Sequence, residues 1–360
     1  MRRRIYFNYL ASATALLLAG GCSLVGSEND DESGPAGAAS SGTVRLVTHE
    51  SFALPKKLIK QFEQDTGYRL KIDKAADAGA LTNQLVLSKN NPVADVVFGI
   101  DNTFASRAVD EGIFASYAPT LPQGAEQFEL EGDQDDALTP IDTGGVCVNV
   151  DDAWFAKQQI APPKSLDDLT KATYRDLFVI PAATTSSPGL AFMLATVGKY
   201  GEEWSSYWKD LMANGAKVVK GWTEAYYTDY TFSGGDRPIV VSYDSSPAFT
   251  LNKAGTASST SALLDSCFEQ VEYAGVLRGD EDGETNTKGA EAVIDWLLSP
   301  KVQAALAPQM YVFPVAADTE LPPEWAKFAN RAEQTEEVAP ADIAANRKAW
   351  LEEWNDIISR

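Results

Sequence analysis

The chain has 360 residues, an ordinary apolar share of 44%, eight Trp and thirteen Tyr, and a formal charge of −21. A surface this acidic repels phosphate backbones, which argues against a nucleic-acid partner. With one histidine, His49, the chain lacks the imidazole and thiol set of a zinc site, and it shows no Gly-x-Ser-x-Gly elbow, phosphate loop or dinucleotide fingerprint, so no metal or cofactor is expected.

In chain order, the first signal is a leader. Met1 to Arg4 is positive, Ala11 to Ala19 is apolar, and Gly20-Gly21-Cys22-Ser23 puts small residues before a cleavage point. The apolar run is shorter than the ~20 residues needed to span a bilayer. Cys22 resembles the lipidated residue of a bacterial lipobox, with Ala19 where that motif usually has Leu. The expectation is a lipoprotein signal peptide over 1–21, a lipid on Cys22, and an extracytoplasmic protein held to the cell membrane by that anchor alone. Loss of Arg2, Arg3 and Arg4 with the leader takes the charge from −21 to −24. Residues 22–42 read as a flexible tether, because Ser27 to Gly42 contains no aromatic or β-branched residue and cannot build a core.

The roughly 320 residues from Thr43 onward exceed one usual core, so two domains are expected. Strands are predicted at Val44 to Thr48, Tyr68 to Ile72 and Ala94 to Ile100, the last apolar enough to be buried on both faces. Helices are predicted between and after them, over Leu54 to Thr66, Ala80 to Lys89 and Asn102 to Glu111. This βαβαβ order implies a parallel sheet with helices on both sides. Leu121 to Ala137 is polar and reads as a loop, and Thr139 to Val150 as a strand. A second α/β set follows. It has a helix opened by Ser165 with Asp168 as its capping partner, a strand at Phe178 to Pro181, a helix from Ser187 to Tyr200 with Pro188 in its first turn, and a helix over Glu202 to Met212. Trp204, Tyr207, Trp208 and Leu211 share one face of that last helix and read as core. Lys217 to Lys220, Arg237 to Tyr243 and Gln270 to Leu277 complete the strands, and Ala290 to Leu298 and Ile343 to Ile358 the helices. If the chain crosses near Gly145 to Val150 and returns near Cys267 to Val276, the crossings form a two-strand hinge. Lobe 1 would then be 43–145 with 268–360, and lobe 2 would be 146–267. Cys147 and Cys267, the cysteines left after Cys22, lie on those crossings. In an exported protein they invite a disulfide.

Ligands of open α/β sheets bind beyond the carboxyl ends of strands. Five polar or aromatic clusters fall there: His49-Glu50-Ser51-Phe52, Gly99-Ile100-Asp101-Asn102, Thr184 through Gly189, Gly221 through Tyr227, and Ser242 through Pro247. A helical Gly221 segment would put Trp222 and Tyr226 on one face.

The runs KGWTEAYY, VSYDSSPAF, TTSSPGL and ADVVFGIDN, with the ending AANRKAWLEEW, resemble thiamine-binding proteins of ABC transporters. The resemblance runs through Thr43 to Arg360. It implies an α/β, two-lobe type II periplasmic binding protein with a two-strand hinge, near the ferric-iron and polyamine binders. It further implies a receptor that passes thiamine, or its phosphates, to a membrane permease; the expectation is a monomer that performs no chemistry. Carried over by motif, Trp222 is an aromatic wall, Tyr243 is the Tyr of SY-x-x-SPA, Ser186 faces a phosphate when one is present, and Asp101 stands at the rim. His49 stands where the family pattern has Tyr, Phe249 where it has Tyr, and Tyr311 where it has Trp. Thiamine's fixed thiazolium charge suits cation–π contact at ~0.5–2 kcal/mol per well-placed ring. Its aminopyrimidine donates to a carboxylate, with Asp101 or Asp77 as candidate.

Other readings stay open on the residues alone. Tyr226-Tyr227, His49 and nearby Asp could hold ferric iron, and aromatics with carboxylates suit polyamines. Abundant Asp and Glu with Trp platforms allow a carboxylate-dependent hydrolase, and a purely structural surface lipoprotein remains possible.

Overall fold

The computed structural model describes residues 42–279 and 285–359. The expected leader and Cys22 lie outside the described residues.

Short apolar runs separated by polar turns lay down ten strands in one sheet: β1 Thr43–Thr48, β2 Arg69–Lys74, β3 Val96–Asp101, β4 Phe114–Ala115, β5 Thr139–Val150, β6 Phe178–Pro181, β7 Lys217–Val219, β8 Ile239–Tyr243, β9 Ser261–Leu277 and β10 Phe313–Pro314. The order is β2-β1-β3-β9-β5-β8-β6-β7, with β4 on β9 and β10 on β5. β1 pairs in parallel with β2 and β3, and β6 pairs in parallel with β7 and β8. Between these two parallel sets run the two longest strands, β5 and β9, antiparallel to each other from Thr139 opposite Ala274 to Val150 opposite Ser261. Every residue of β3 and β5 is buried, which is why both read as near-continuous apolar or small-residue runs. Val146 stands opposite Phe268, and next to that pair Cys147 and Cys267 form a disulfide with Cα atoms 4.2 Å apart.

Helices cover the parallel sets. Lys56–Thr66 buries Leu58 and Phe62 and ends at Gly67, whose left-handed φ of 74° returns its N–H to the Glu63 carbonyl. Ser187–Tyr200 is capped by Ser186, which accepts from the Gly189 amide, and its residues 187–196 are all buried. Trp204–Ala213 turns Trp204, Tyr207, Trp208 and Leu211 inward. Trp208 packs edge-on against Trp354 of the helix Pro340–Ile358, with ring centres 5.5 Å apart. That final helix also reaches the first parallel set, where Arg347 donates to the Thr103 carbonyl.

Two local expectations change. The segment from Ser165 makes only a short 3₁₀ turn, Leu166–Thr170, and Ser165 provides no side-chain cap. The Asp168 carboxylate instead accepts from the Lys164 amide at 2.8 Å, satisfying the chain before the turn rather than starting a helix. β9 begins at Ser261 and not near Gln270, because pairing with β5 stabilises a stretch whose polar residues mask the strand pattern.

The disulfide closes 120 residues of chain, so it removes substantial loop entropy from the unfolded state. Replacing both cysteines with Ala lowers the unfolding free energy by about 2–4 kcal/mol in urea denaturation. An unchanged midpoint would show that the bond contributes nothing.

Candidate functional site

The carboxyl ends of the two parallel sets meet. Asp77, three residues beyond β2, caps the helix Ala78–Leu87 by accepting from the Ala78 amide, and its other oxygen accepts from the Trp222 amide at 2.9 Å. The Ala80 amide donates to the Thr185 carbonyl at 3.2 Å, and the Ser51 and Thr223 hydroxyls lie 3.2 Å apart. Gly79 makes this approach feasible, since a Cβ there would stand 2.6 Å from the Phe104 ring and 2.8 Å from the Thr185 backbone. Ser186 lies beside Asp77, and Ser187 beside Asp101.

Above this seam is an aromatic cluster. Trp222 opens a helical turn that continues into a wide turn over Ala225–Asp229, and this places Tyr226 against it, stacked at 5.0 Å and 18°. Tyr227, Tyr243 and Tyr311 present edges to the indole at 5.4, 5.9 and 5.3 Å. Phe249 stacks on Tyr311 at 3.6 Å, and the Tyr227 and Tyr311 hydroxyls are 3.2 Å apart. The Trp222 indole N–H donates to Ser242, whose oxygen is 2.8 Å from that of Ser246, so the indole plane is fixed before any ligand arrives. Trp222 is 5% exposed and Tyr227 50%, which makes Tyr227 the rim. The rings touch one another, so a flat ligand enters only if they separate. Hollows of about 580 and 590 Å³ lie elsewhere. The first is lined by Lys57, Leu58 and Lys301, the second by Tyr117, Asp295 and Asp318.

Below the rings the central strands carry buried charge. Glu272 of β9 stands opposite Asp101 of β3 on one side and Asp142 of β5 on the other. His49, the residue after β1, brings its Nε2 to 3.3 Å from Glu272. Room for the imidazole comes from Gly99, whose φ is +95° and whose Cβ, if present, would lie 2.1 Å from the ring. Burial works against the charge on His49, but the Glu272 carboxylate outweighs it and holds the imidazole above its usual range. Burial likewise opposes the Glu272 charge and His49 outweighs it, holding Glu272 low. Asp142 is driven well up by burial and by Glu272. Burial also pushes Asp101 up to about 7, against hydrogen bonding from Thr103. Burial raises Asp77 too, against its bond from the Trp222 amide.

The eight sequence candidates thus form two adjoining groups. Trp222, Tyr226, Tyr243 and Tyr311 make up the ring cluster, and His49, Asp77, Asp101 and Ser186 lie on the seam and floor. Sequence reasoning missed Glu272, Asp142 and Gln270. Gln270 donates to the Tyr243 hydroxyl at 3.3 Å, and Glu272, two residues on, shares its face of β9. Buried acids in the predicted strands Thr139 to Val150 and Gln270 to Leu277 were the available signal. Among the described residues no group of three or more His, Cys, Asp or Glu is arranged to hold a metal ion.

Residues 91–339 match the family model described as bacterial extracellular solute-binding protein. The thiamine-binding periplasmic protein of Escherichia coli (strain K12) is 30% identical over 322 residues, covering 88% of this chain and 93% of that relative. Its namesake from Brucella suis biovar 1 is 27% identical over 331 residues, with 90% and 94% covered. Among solved structures, a periplasmic thiamin binding protein superposes with a TM-score of 0.76 at 29% identity, over 91% of this chain and 99% of that one. A ferric binding protein from Campylobacter jejuni superposes at 0.66 with 17% identity, over 87% and 99%, which speaks to the fold alone.

A carboxyl held near 7 in the fold and near 4 when unfolded binds its proton more tightly in the native state. Its stabilising contribution is therefore complete below about pH 4 and is lost as pH rises through about 7. Between pH 5 and pH 8, the native chain loses about 2–3 kcal/mol more stability than its Asp101→Asn variant in urea denaturation. Parallel pH profiles for the two proteins would contradict a protonated Asp101.

Proposed function

The chain belongs to the bacterial extracellular solute-binding proteins and has the type II periplasmic-binding-protein fold, and on that premise we propose that it captures thiamine, with or without phosphate, and delivers it unaltered to an ABC permease. The observation that carries this reading is the fixed indole of Trp222, ringed by Tyr226, Tyr227, Tyr243 and Tyr311, with Asp77 on its amide and Glu272, Asp77 and Asp101 around Tyr243. A flat cation gains from both features at once. Its charge is attracted to the ring faces, and the carboxylates below supply the counter-charge.

In this reading Trp222, Tyr226 and Tyr243 flank the thiazolium, and Tyr311 with Phe249 closes the cluster. Asp77 or Asp101 accepts from the aminopyrimidine, and His49 lies beside them. Ser186 and the first amides of Ser187–Tyr200 accommodate a phosphate. The lobes are 43–145 with 268–360 and 146–267. They open about β5 and β9, as the pairing of Val146 with Phe268 at the centre of the sheet supports. Opening separates Asp77 from Trp222 and lifts Tyr311 off the Trp222, Tyr226 and Phe249 rings of the other lobe. Closing dries the ligand and strengthens each contact. Cys22 carries the lipid, residues 22–42 tether the receptor to the membrane, and the receptor works as a monomer.

A thermal-shift panel on the full chain tests this with thiamine, its mono- and diphosphate, spermidine and ferric citrate. Thiamine or a phosphate raises the melt, consistent with ~2.7 kcal/mol at a hundredfold excess over Kd. A response confined to spermidine or iron transfers the assignment to those ligands. Trp222→Ala weakens thiamine binding about tenfold to a hundredfold, and Trp222→Phe less. Unaltered affinity in Trp222→Ala removes the indole from the site.

A further inference from the structure

We infer that His49 and Glu272 select for a permanently charged ligand: its cation takes the place of the imidazolium beside Glu272, and the His49 proton leaves to solvent. This deepens the thiamine reading and rests on it.

The pair has the geometry of a charge held in reserve. His49 Nε2 is 3.3 Å from Glu272, and both side chains are under 10% exposed. The imidazole is located by packing, in the gap left by Gly99 and 5.7 Å from the Phe98 ring. Glu272 lies on the same face of β9 as Gln270, which holds the Tyr243 hydroxyl, so this carboxylate belongs to the floor of the ring cluster. The charged groups around His49 are Glu272 and Asp77, with Lys74 as the opposing cation. Those flanking Glu272 are Asp101 and Asp142.

Acids exceed bases in this buried patch, and His49 is its one cation able to lose charge near neutral pH. A thiazolium cannot lose its charge. Bringing it into the same dry space sets two cations against each other, and the imidazolium is the one that yields. The step balances simply: one N–H bond on the imidazole breaks, the proton passes to water, and Glu272 keeps a single positive partner throughout. The Tyr that the family resemblance places at this position could not serve, because a neutral phenol has no positive charge to surrender. A neutral pyrimidine gains nothing from the exchange, which is the source of selectivity.

As the chain's one histidine, His49 gives a single imidazole signal in NMR of the full chain, recorded from pH 5.5 to 8.5 alongside thermal melts. In the free protein the signal titrates with a midpoint above 6.5, and Glu272→Gln lowers it. With thiamine bound, the midpoint falls by one unit or more. Thiamine affinity then increases as pH is raised, by up to about tenfold per unit between the bound-state and free-state midpoints, and His49→Gln removes that one-proton dependence. An imidazolium signal unmoved by thiamine while the melt shifts overturns the exchange alone. A melt indifferent to thiamine overturns the thiamine reading and the exchange with it.

Discussion

The Asp77 carboxylate makes two hydrogen bonds on which the site's arrangement depends. One oxygen caps the helix Ala78–Leu87, and the other accepts the amide of Trp222 from the opposite parallel set. A carboxylate at a helix start is favoured by the unpaired amides there, so the same group stabilises its own element and locks the neighbouring one. Trp222 is thereby fixed at its backbone by Asp77 and at its indole by Ser242. Tyr226, Tyr227, Tyr243 and Tyr311 arrange themselves on that fixed plane. Gly79 permits the approach, because any side chain there would meet Phe104 and the Thr185 backbone.

Glu272, Asp101 and Asp142 come from adjacent strands at one level of the sheet, and desolvation penalises each. Stability alone does not call for such a cluster, since apolar residues of similar size would cost less. The arrangement lowers its own cost by ionising selectively. Burial and the neighbouring Glu272 favour the protonated form of Asp142, while His49 favours the charged form of Glu272. A cation entering beside the Tyr243 ring therefore meets a Glu272 already paired with His49.

Much of this was legible in the residues. The apolar runs at β3, β6 and β8 read as strands because burial on both faces leaves little polar residue to confuse the pattern. The stripe of Trp204, Tyr207, Trp208 and Leu211 read as core because its spacing follows the helix turn. Trp222 and Tyr226 read as neighbours for the same reason. The first half of β9 was not legible, because Ser261–Glu269 alternates weakly and its strand form depends on β5. Glu272 and Asp142 escaped notice because only register brings them together, and register is a property of the paired strands that no local motif records.

The most direct test of the account is a crystal structure of the full chain grown with thiamine. The account predicts the thiazolium between the indole of Trp222 and the neighbouring tyrosine rings, with the aminopyrimidine within hydrogen-bond distance of Asp77 or Asp101. Thiamine bound away from Trp222, or a saturated crystal with the rings still packed on one another, would contradict it.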